Sequence, residues 1–439
     1  MRLRQYLVDQ AIIVHNLFVA SLPLRRLRTT PPDPAPVALS RFAIIPGDAS
    51  NPSGSLGDMA MFSALLQALR SHYPDAAFTL IGTHDHIIDV PGIGQVPVVA
   101  AWNGTAGSVA FDRLIRQQHA LFVMGADILD GHYGAALVQR IVAYCNHSVR
   151  LRIPATTLGF SFNRTPRRPA VHALSRLHPD VTVNVRDQPS LDRFTRMTGT
   201  PATLCADVAF LLPAASESDS GTESWIAATR AAGRSPVGLN LNAHALAPAL
   251  AQLGADALIA RLAEQLHQAG EADRLALLLI PHDLKSQAGD VAMLQALATR
   301  LRQQGFPHVR YAEIRRPDLI KRIAGQLDLV ITSRMHLAIA SLGGGTPVLS
   351  ITYQDKFEGL YQHADLPLEH ILTPQECLDG ALPMKIGRAF QQRHENRHRI
   401  QARLPRIRAL AARNLFIATH GAQPVQASAS ATPVATVQT

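Results

Sequence analysis

At 439 residues the chain exceeds the size at which one hydrophobic core keeps growing, so two domains are expected, and a 47% apolar composition can fill both cores. Three cysteines, Cys145, Cys205 and Cys377, are too few and too scattered for a disulfide framework or a thiolate metal site. The net charge of +9 suggests acidic partners without choosing among nucleic acid, anionic lipid and a phosphorylated small molecule, and only four of the 42 basic residues are lysine.

The apolar stretch from Ala11 to Leu24 is broken by His15, Asn16 and Pro23, and basic residues flank it. It is shorter than the roughly 20 apolar residues of a spanning helix, and no cleavage signature follows. A peripheral helix is predicted, free to pack on the protein or to touch an anionic membrane face.

After the proline-rich connector Pro31 to Pro36, Phe42 to Pro46 reads as a buried strand. A helix follows from near Asp58, with Met59, Phe62, Leu65, Leu66 and Leu69 at helical spacing, and Ala77 to Ile81 is the next strand. Strands over Ala120 to Met124, Ala155 to Phe162 and Val181 to Val185, with a helix from Pro189 to Met197, continue the alternation. Such alternation implies a parallel sheet covered on both faces.

A polar run, Ser216 to Gly221, lies in a predicted linker over 213–235. Alternation then resumes with strands Val237 to Leu241, Leu275 to Ile280, Val309 to Ala312, Leu327 to Thr332 and Pro347 to Thr352, and with helices such as Ala255 to Ala269 and Asp290 to Gln304. The expectation is a connector over 1–38, one α/β domain over 39–212, a second over 236–384, and the two facing across a cleft. From Lys385 to Arg413 nine basic residues face the single acid Glu395, which predicts basic helices over 385–420, kinked or divided at Pro405. The residues 421–439 have no periodicity and are expected to be disordered.

Several loops sit where ligands bind α/β sheets, at strand C-terminal ends. Gly54-Ser55-Leu56-Gly57-Asp58 joins a strand to a helix start, where glycines admit close backbone approach and the helix favours an anion. It lacks the P-loop lysine and the GxGxxG pattern, and a tight turn with Asp58 capping the helix is its structural alternative. Asp127, in the loop from Met124 to Gly131, either orients a sugar hydroxyl or caps a helix. Arg186 ends a strand and suits a carboxylate or phosphate, with pairing to Asp187 or another acid as the alternative; Asp207 reads as structural.

The segment Ser333-Arg334-Met335-His336 combines strand end, charged loop and helix start. A histidine there can move a proton near neutral pH while the arginine and helix amides hold an anion. His84 and His86 lack further ligands at a diagnostic spacing, so a surface loop is expected there and no metal site is predicted.

In order, the Gly54–Asp58 loop, the Gly125 loop, Val185-Arg186-Asp187 with Ser190, Asp207-Val208-Ala209-Phe210, Ile331 to Leu337, Gly345-Thr346-Pro347 and Tyr353-Gln354-Asp355-Lys356 resemble the polysaccharide pyruvyl transferases over roughly 40–360. The Gly125 loop departs from many members in carrying Ala126 and Asp127 in place of further glycines. The resemblance implies two Rossmann-like domains in a GT-B-like arrangement. It implies transfer of pyruvate from phosphoenolpyruvate, a co-substrate rather than a cofactor, as a ketal onto two hydroxyls of a sugar, with release of phosphate. Arg334, His336 and Arg186 then become donor-binding or catalytic residues, His336 protonating the methylene carbon and then helping to deprotonate the second hydroxyl. Gly54, Gly57, Asp58 and Ser333 join the donor site, and Asp127 and Lys356 form the acceptor or secondary group. The implied partner is a glycan or lipid-linked oligosaccharide, with no nucleic acid, at the cytoplasmic face of the membrane. A nucleotide-sugar-dependent glycosyltransferase of the same shape is the alternative, because fold does not choose between donors.

Overall fold

The computed structural model describes Leu24 and residues 39–242, 245–284, 290–352 and 355–417. The connector and the tail from 421 fall outside them, except that Leu24 is helical and buried on the first domain's core.

The first sheet contains β1 (Arg41–Ile45), β2 (Ala77–Gly82), β3 (His86–Val90), β4 (Gly94–Ala100), β5 (Ala120–Val123), β6 (Ala155–Phe160), β7 (Thr182–Val185) and β8 (Thr203–Leu204), in the order β3-β4-β2-β1-β5-β6-β7-β8. Every pairing is parallel except the β3–β4 hairpin. Central strands read as unbroken apolar runs because both faces are covered. On β1, Phe42 and Ile44 join one apolar cluster while Ala43 and Ile45 join the cluster on the opposite face.

The hairpin corrects the expectation of a surface loop for His86 alone, since His84 does lie in an exposed bend before the strand. His86 opens β3, Gly92 adopts positive φ in the turn, and Gly94, also at positive φ, opens β4. Its strand is short and half-exposed at the sheet edge, so it carries little apolar signal.

The second sheet contains β9 (Ser235–Asn240), β10 (Leu275–Leu279), β11 (Val309–Tyr311), β12 (Leu329–Thr332), β13 (Val348–Ile351) and β14 (Ile371–Leu372), in the order β11-β10-β9-β12-β13-β14, all parallel. The predicted linker is no bare tether. It contains the helix Ser220–Ala231, capped by Asp219, and Glu217 and Glu223 pair with Arg316 and Arg322 of the second domain.

One apolar cluster spans both domains. Phe42, Leu65 and Phe210 belong to it together with Ile280, Ile320 and Leu337. The basic C-terminal segment extends the same cluster. It forms two helices, Leu382–Gln391 and Arg393–Ala412, and the second places Ile400, Leu404, Ile407 and Leu410 on a buried stripe.

The chain divides at Gln392, not at Pro405. Gln401, four residues before Pro405, is exposed, so water can satisfy the carbonyl that loses its amide partner, while buried Leu404 and Ile407 hold the helix in place. No helix among the described residues is long and apolar enough to cross a membrane.

Asn414 fastens this returning helix to the first domain. Its Oδ1 accepts from the Gly159 amide at 2.7 Å, and its Nδ2 donates to the Ala206 carbonyl at 2.8 Å. Asn414→Ala would leave both groups buried without partners, so it is expected to lower stability by about 1–3 kcal/mol. Replacement of exposed Arg406 by Gln is expected to stay within about 0.5 kcal/mol, both read from urea unfolding.

Candidate active site

Between the domains lies a cavity of about 660 Å³, within the size range of small-molecule sites. Its wall includes Gly57, Asp58, Asp127 and Arg186 from the first domain and His282, Asp283, Ser333, Arg334, His336 and Lys356 from the second.

In the second domain, β12 runs into Ser333 and Arg334, and the helix Met335–Gly343 begins directly after. Ser333 is a structural tie: its Oγ accepts from the Asn242 amide at 2.7 Å and so joins two strand-end loops. The guanidinium of Arg334 is clamped, with Nε and Nη2 donating to Asp290 Oδ1 at 3.0 and 2.7 Å and Nη2 also to Asp283 Oδ2 at 3.0 Å. Its Nη1 donates no hydrogen bond among the described residues. Burial works against this charge, but the Asp290 and Asp283 carboxylates more than offset it and raise the pKa.

Asp290 is fully buried and is itself held by Asn240 Nδ2 at 2.7 Å and by the amides of His282 and Asp283 at 3.0 and 3.1 Å. Burial, then the charge of neighbouring His336, lowers the pKa of His282. His282, Asp283 and Asp290 escaped sequence reasoning. The first two follow β10 at a strand end, which was a usable signal, whereas Asp290 looked like an ordinary first residue of the helix Asp290–Gln303.

In the first domain, β7 delivers Arg186 and Asp187 to the sheet edge. Asp187 caps the helix Gln188–Thr198 by accepting from the Ser190 amide at 2.8 Å. Arg186 turns to Ser161 Oγ at 2.7 Å and Asp207 Oδ2 at 3.0 Å, so the neighbouring acid it pairs with is Asp207. Its Nη2 donates no hydrogen bond among the described residues.

Asp207, 3% exposed, does more than the structural task read from sequence. Its Oδ1 starts the turn Val208–Leu211 by accepting from the Ala209 amide, while its Oδ2 lies 3.7 Å from His336 Nε2. That separation is an ion-pair contact beyond hydrogen-bond reach. His336 Nε2 is buried and makes no hydrogen bond among the described residues. Burial alone would raise the Asp207 pKa; His336 and Arg186 outweigh it and take it down to about 2.

Gly57 lies against the His336 ring, since a Cβ there would sit 2.4 Å from Nδ1. Its lack of a side chain therefore makes room for the imidazole of the opposite domain. Gly54 closes a turn with Asn51 and stands outside the cavity wall. The helix cap is Ser55, not Asp58: Ser55 Oγ accepts from the Asp58 amide at 3.1 Å. Asp127 and Lys356 meet across the cleft at 3.2 Å. Burial opposes ionisation of Asp127, but Lys356 and then Arg186 outweigh it and lower its pKa. Asp355 and Glu358 pair instead with Arg164, both at 2.8 Å.

The family model for polysaccharide pyruvyl transferase matches residues 56–355, a span that holds Gly57, Asp127, Arg186, Asp207, Arg334 and His336. The chain belongs to the polysaccharide pyruvyl transferase family. Among solved structures, a putative UDP-N-acetylglucosamine 2-epimerase from Listeria monocytogenes is similar at 12% identity with a TM-score of 0.55, over 86% of this chain and 97% of that one. S. aureus MnaA, solved with UDP, gives 9% identity and 0.53 over 86% and 94%, and Anabaena HepE with UDP gives 15% and 0.50 over 86% and 95%. These likenesses establish the fold, two Rossmann-like domains in the GT-B arrangement. Membership of the pyruvyl transferase family makes the protein a transferase with a glycan acceptor.

The lowered Asp207 pKa predicts a pH dependence for this pyruvyl transferase family member. Because the folded value lies near 2 and the free carboxyl near 3.9, the contribution is complete above about pH 4 and is lost as pH falls toward 2. It is worth on the order of 2 kcal/mol. Asp207→Asn strands Arg186 and is expected to cost about 3–5 kcal/mol at pH 7. Denaturant melts from pH 7 to pH 3 should show a shallower acid loss in this variant than in the wild type.

Proposed function

We propose that the protein transfers pyruvate from phosphoenolpyruvate, as a ketal, onto two hydroxyls of a sugar in an exopolysaccharide or cell-surface glycan. The observation that carries this reading is His336, a proton carrier with an unbonded ring nitrogen, at the start of the helix Met335–Gly343 and beside two guanidinium groups fixed by carboxylates.

Phosphoenolpyruvate presents a phosphate and a carboxylate around an electron-rich double bond. Its recognition calls for oriented cations, and Arg186 and Arg334 each keep one terminal nitrogen without a protein acceptor among the described residues. The first amides of a helix lack intrahelical partners and favour an anion, and both Met335 and His336 line the cavity.

The imidazolium of His336 forms the new C–H bond at the methylene carbon while one sugar hydroxyl adds to the adjacent carbon. The bond from that carbon to the phosphate oxygen then breaks, and the second hydroxyl takes its place. Of the two hydroxyl protons released, one restores His336 and the other leaves with phosphate. Asp207, whose carboxylate His336 and Arg186 hold at a low pKa, is too weak a base to compete with an imidazole, and it lies 3.7 Å from the ring nitrogen. A setting at the cytoplasmic face of the membrane, with a lipid-linked oligosaccharide as acceptor, accords with this chemistry.

Incubation with phosphoenolpyruvate and a panel of free and lipid-linked glycans, scored by phosphate release and glycan mass gain, tests the reading. His336→Gln is expected to lower kcat by about 10²–10⁴. Gly57→Ala, which pushes the ring aside, is expected to lower it on the order of 10². Consumption of a nucleotide sugar with no phosphate released from phosphoenolpyruvate would overturn the proposal in favour of a glycosyltransferase.

A further inference from the structure

The first-domain wall of the cavity contains residues that the proton-transfer chemistry does not use. Trp102 and Asn103 follow β4, Thr83 follows β2, Asp48 precedes the Gly54 loop, and Tyr133 lies in the loop after β5. All stand at the carboxyl edge of the first sheet, the edge on which open α/β sheets receive ligands.

Trp102 is held as a rigid plate. Its backbone packs so closely on Gly107 that a Cβ there would lie 2.7 Å from the Trp102 carbonyl carbon. The Arg140 guanidinium sits 5.6 Å from the centre of the indole and bonds the Trp102 carbonyl. Tyr144 meets the indole edge-on at 5.7 Å and is itself stacked on Phe111 at 3.8 Å. The indole remains only partly buried and lines the cavity. Tyr133 is 56% exposed, unusual for so large a ring, and lines the same cavity.

Trp102 packs on the first-domain core and Tyr133 meets His132 edge-on at 5.2 Å, yet both keep exposed surface at a wall that mixes charged residues with polar and apolar ones such as Ser50, Thr83, Ile128 and Leu137. A pyranose ring suits such a wall. Its axial C–H groups form a weakly positive apolar face suited to the negative face of an aromatic ring, while its hydroxyls need placed polar groups around the edge.

We propose that Trp102 and Tyr133 form the acceptor subsite, a platform for the apolar face of a pyranose, with Asn103 and Asp48 bonding ring hydroxyls and the two reacting hydroxyls directed to His336. The assignment rests on the function proposed above and adds where the sugar sits. It sets the neutral acceptor on the outer part of the first-domain wall, while the anionic donor is met by Arg186 of that domain and Arg334 of the other.

The chain has two tryptophans, Trp102 and Trp225, so a Trp225→Phe variant makes Trp102 the sole indole reporter. Titration of that variant with methyl glycosides of glucose, galactose and mannose and with their disaccharides is expected to give a saturable change in emission for at least one sugar. Tyr133→Ala should weaken that binding about tenfold. In turnover, Trp102→Ala should raise the acceptor KM about tenfold, Trp102→Phe should restore most of it, and the affinity for phosphoenolpyruvate by calorimetry should stay within twofold.

The proposal is overturned if no sugar perturbs Trp102, or if both alanine variants keep wild-type sugar affinity. Equal weakening of phosphoenolpyruvate binding would also overturn it, as the mark of a general collapse of the cleft. Sugar binding without any phosphoenolpyruvate-dependent turnover would leave the subsite standing and defeat the pyruvyl transfer reading alone.

Discussion

The cleft depends on one buried carboxylate. Asp207 stands between the Arg186 guanidinium of its own domain and the His336 imidazole of the other, and its second oxygen starts the turn Val208–Leu211. The far end of that turn is held by Lys321, whose ammonium donates to the Phe210 and Leu212 carbonyls at 3.1 and 2.5 Å and whose pKa burial pushes down to about 8. The turn therefore carries a charge contact between domains at both ends. A displacement of either domain would break ionic contacts that water cannot readily replace.

Among the described residues, each Lys or Arg facing the cavity is matched by a carboxylate: Arg186 by Asp207, Arg334 by Asp290 and Asp283, Lys356 by Asp127. Pairs of this kind gain little net stability, because desolvation offsets most of the attraction. Their effect is on orientation. A guanidinium held at two nitrogens presents its third in a fixed direction, so little further ordering is required when an anion arrives. The carboxylates also keep an empty cleft from accumulating uncompensated positive charge.

Association of the domains rests mainly on apolar packing. The cluster shared by Phe210, Ile320, Leu337 and the returning C-terminal helix excludes water at the junction. The outer pairs of Arg164 and Arg193 with Asp355 and Glu358 are partly exposed at distances of 2.8 to 3.5 Å, so salt screens them and they contribute little. The basic character of the final helices follows from the same division, with one stripe buried and the charges in solvent.

The elements and the edge that bears the site were legible residue by residue. Apolar runs mark buried parallel strands, and a parallel sheet necessarily brings their carboxyl ends to one side, so Arg186 and Asp127 could be placed at the edge of one sheet and Arg334 and His336 at the edge of the other. The β3–β4 hairpin was not legible because an exposed edge strand has little apolar pattern to show. Nor were the partners of the charges. Arg186 finds Asp207 over its neighbour Asp187, and Lys356 finds Asp127 of the other domain. Asp290 reaches Arg334 across 44 positions and Lys356 reaches Asp127 across 229. Local periodicity records how a segment buries its own face, while Arg186–Asp207 and Arg334–Asp290 arise only when distant segments of one domain are brought together, and Lys356–Asp127 only when the two domains meet, so no nearby residue carries a trace of them.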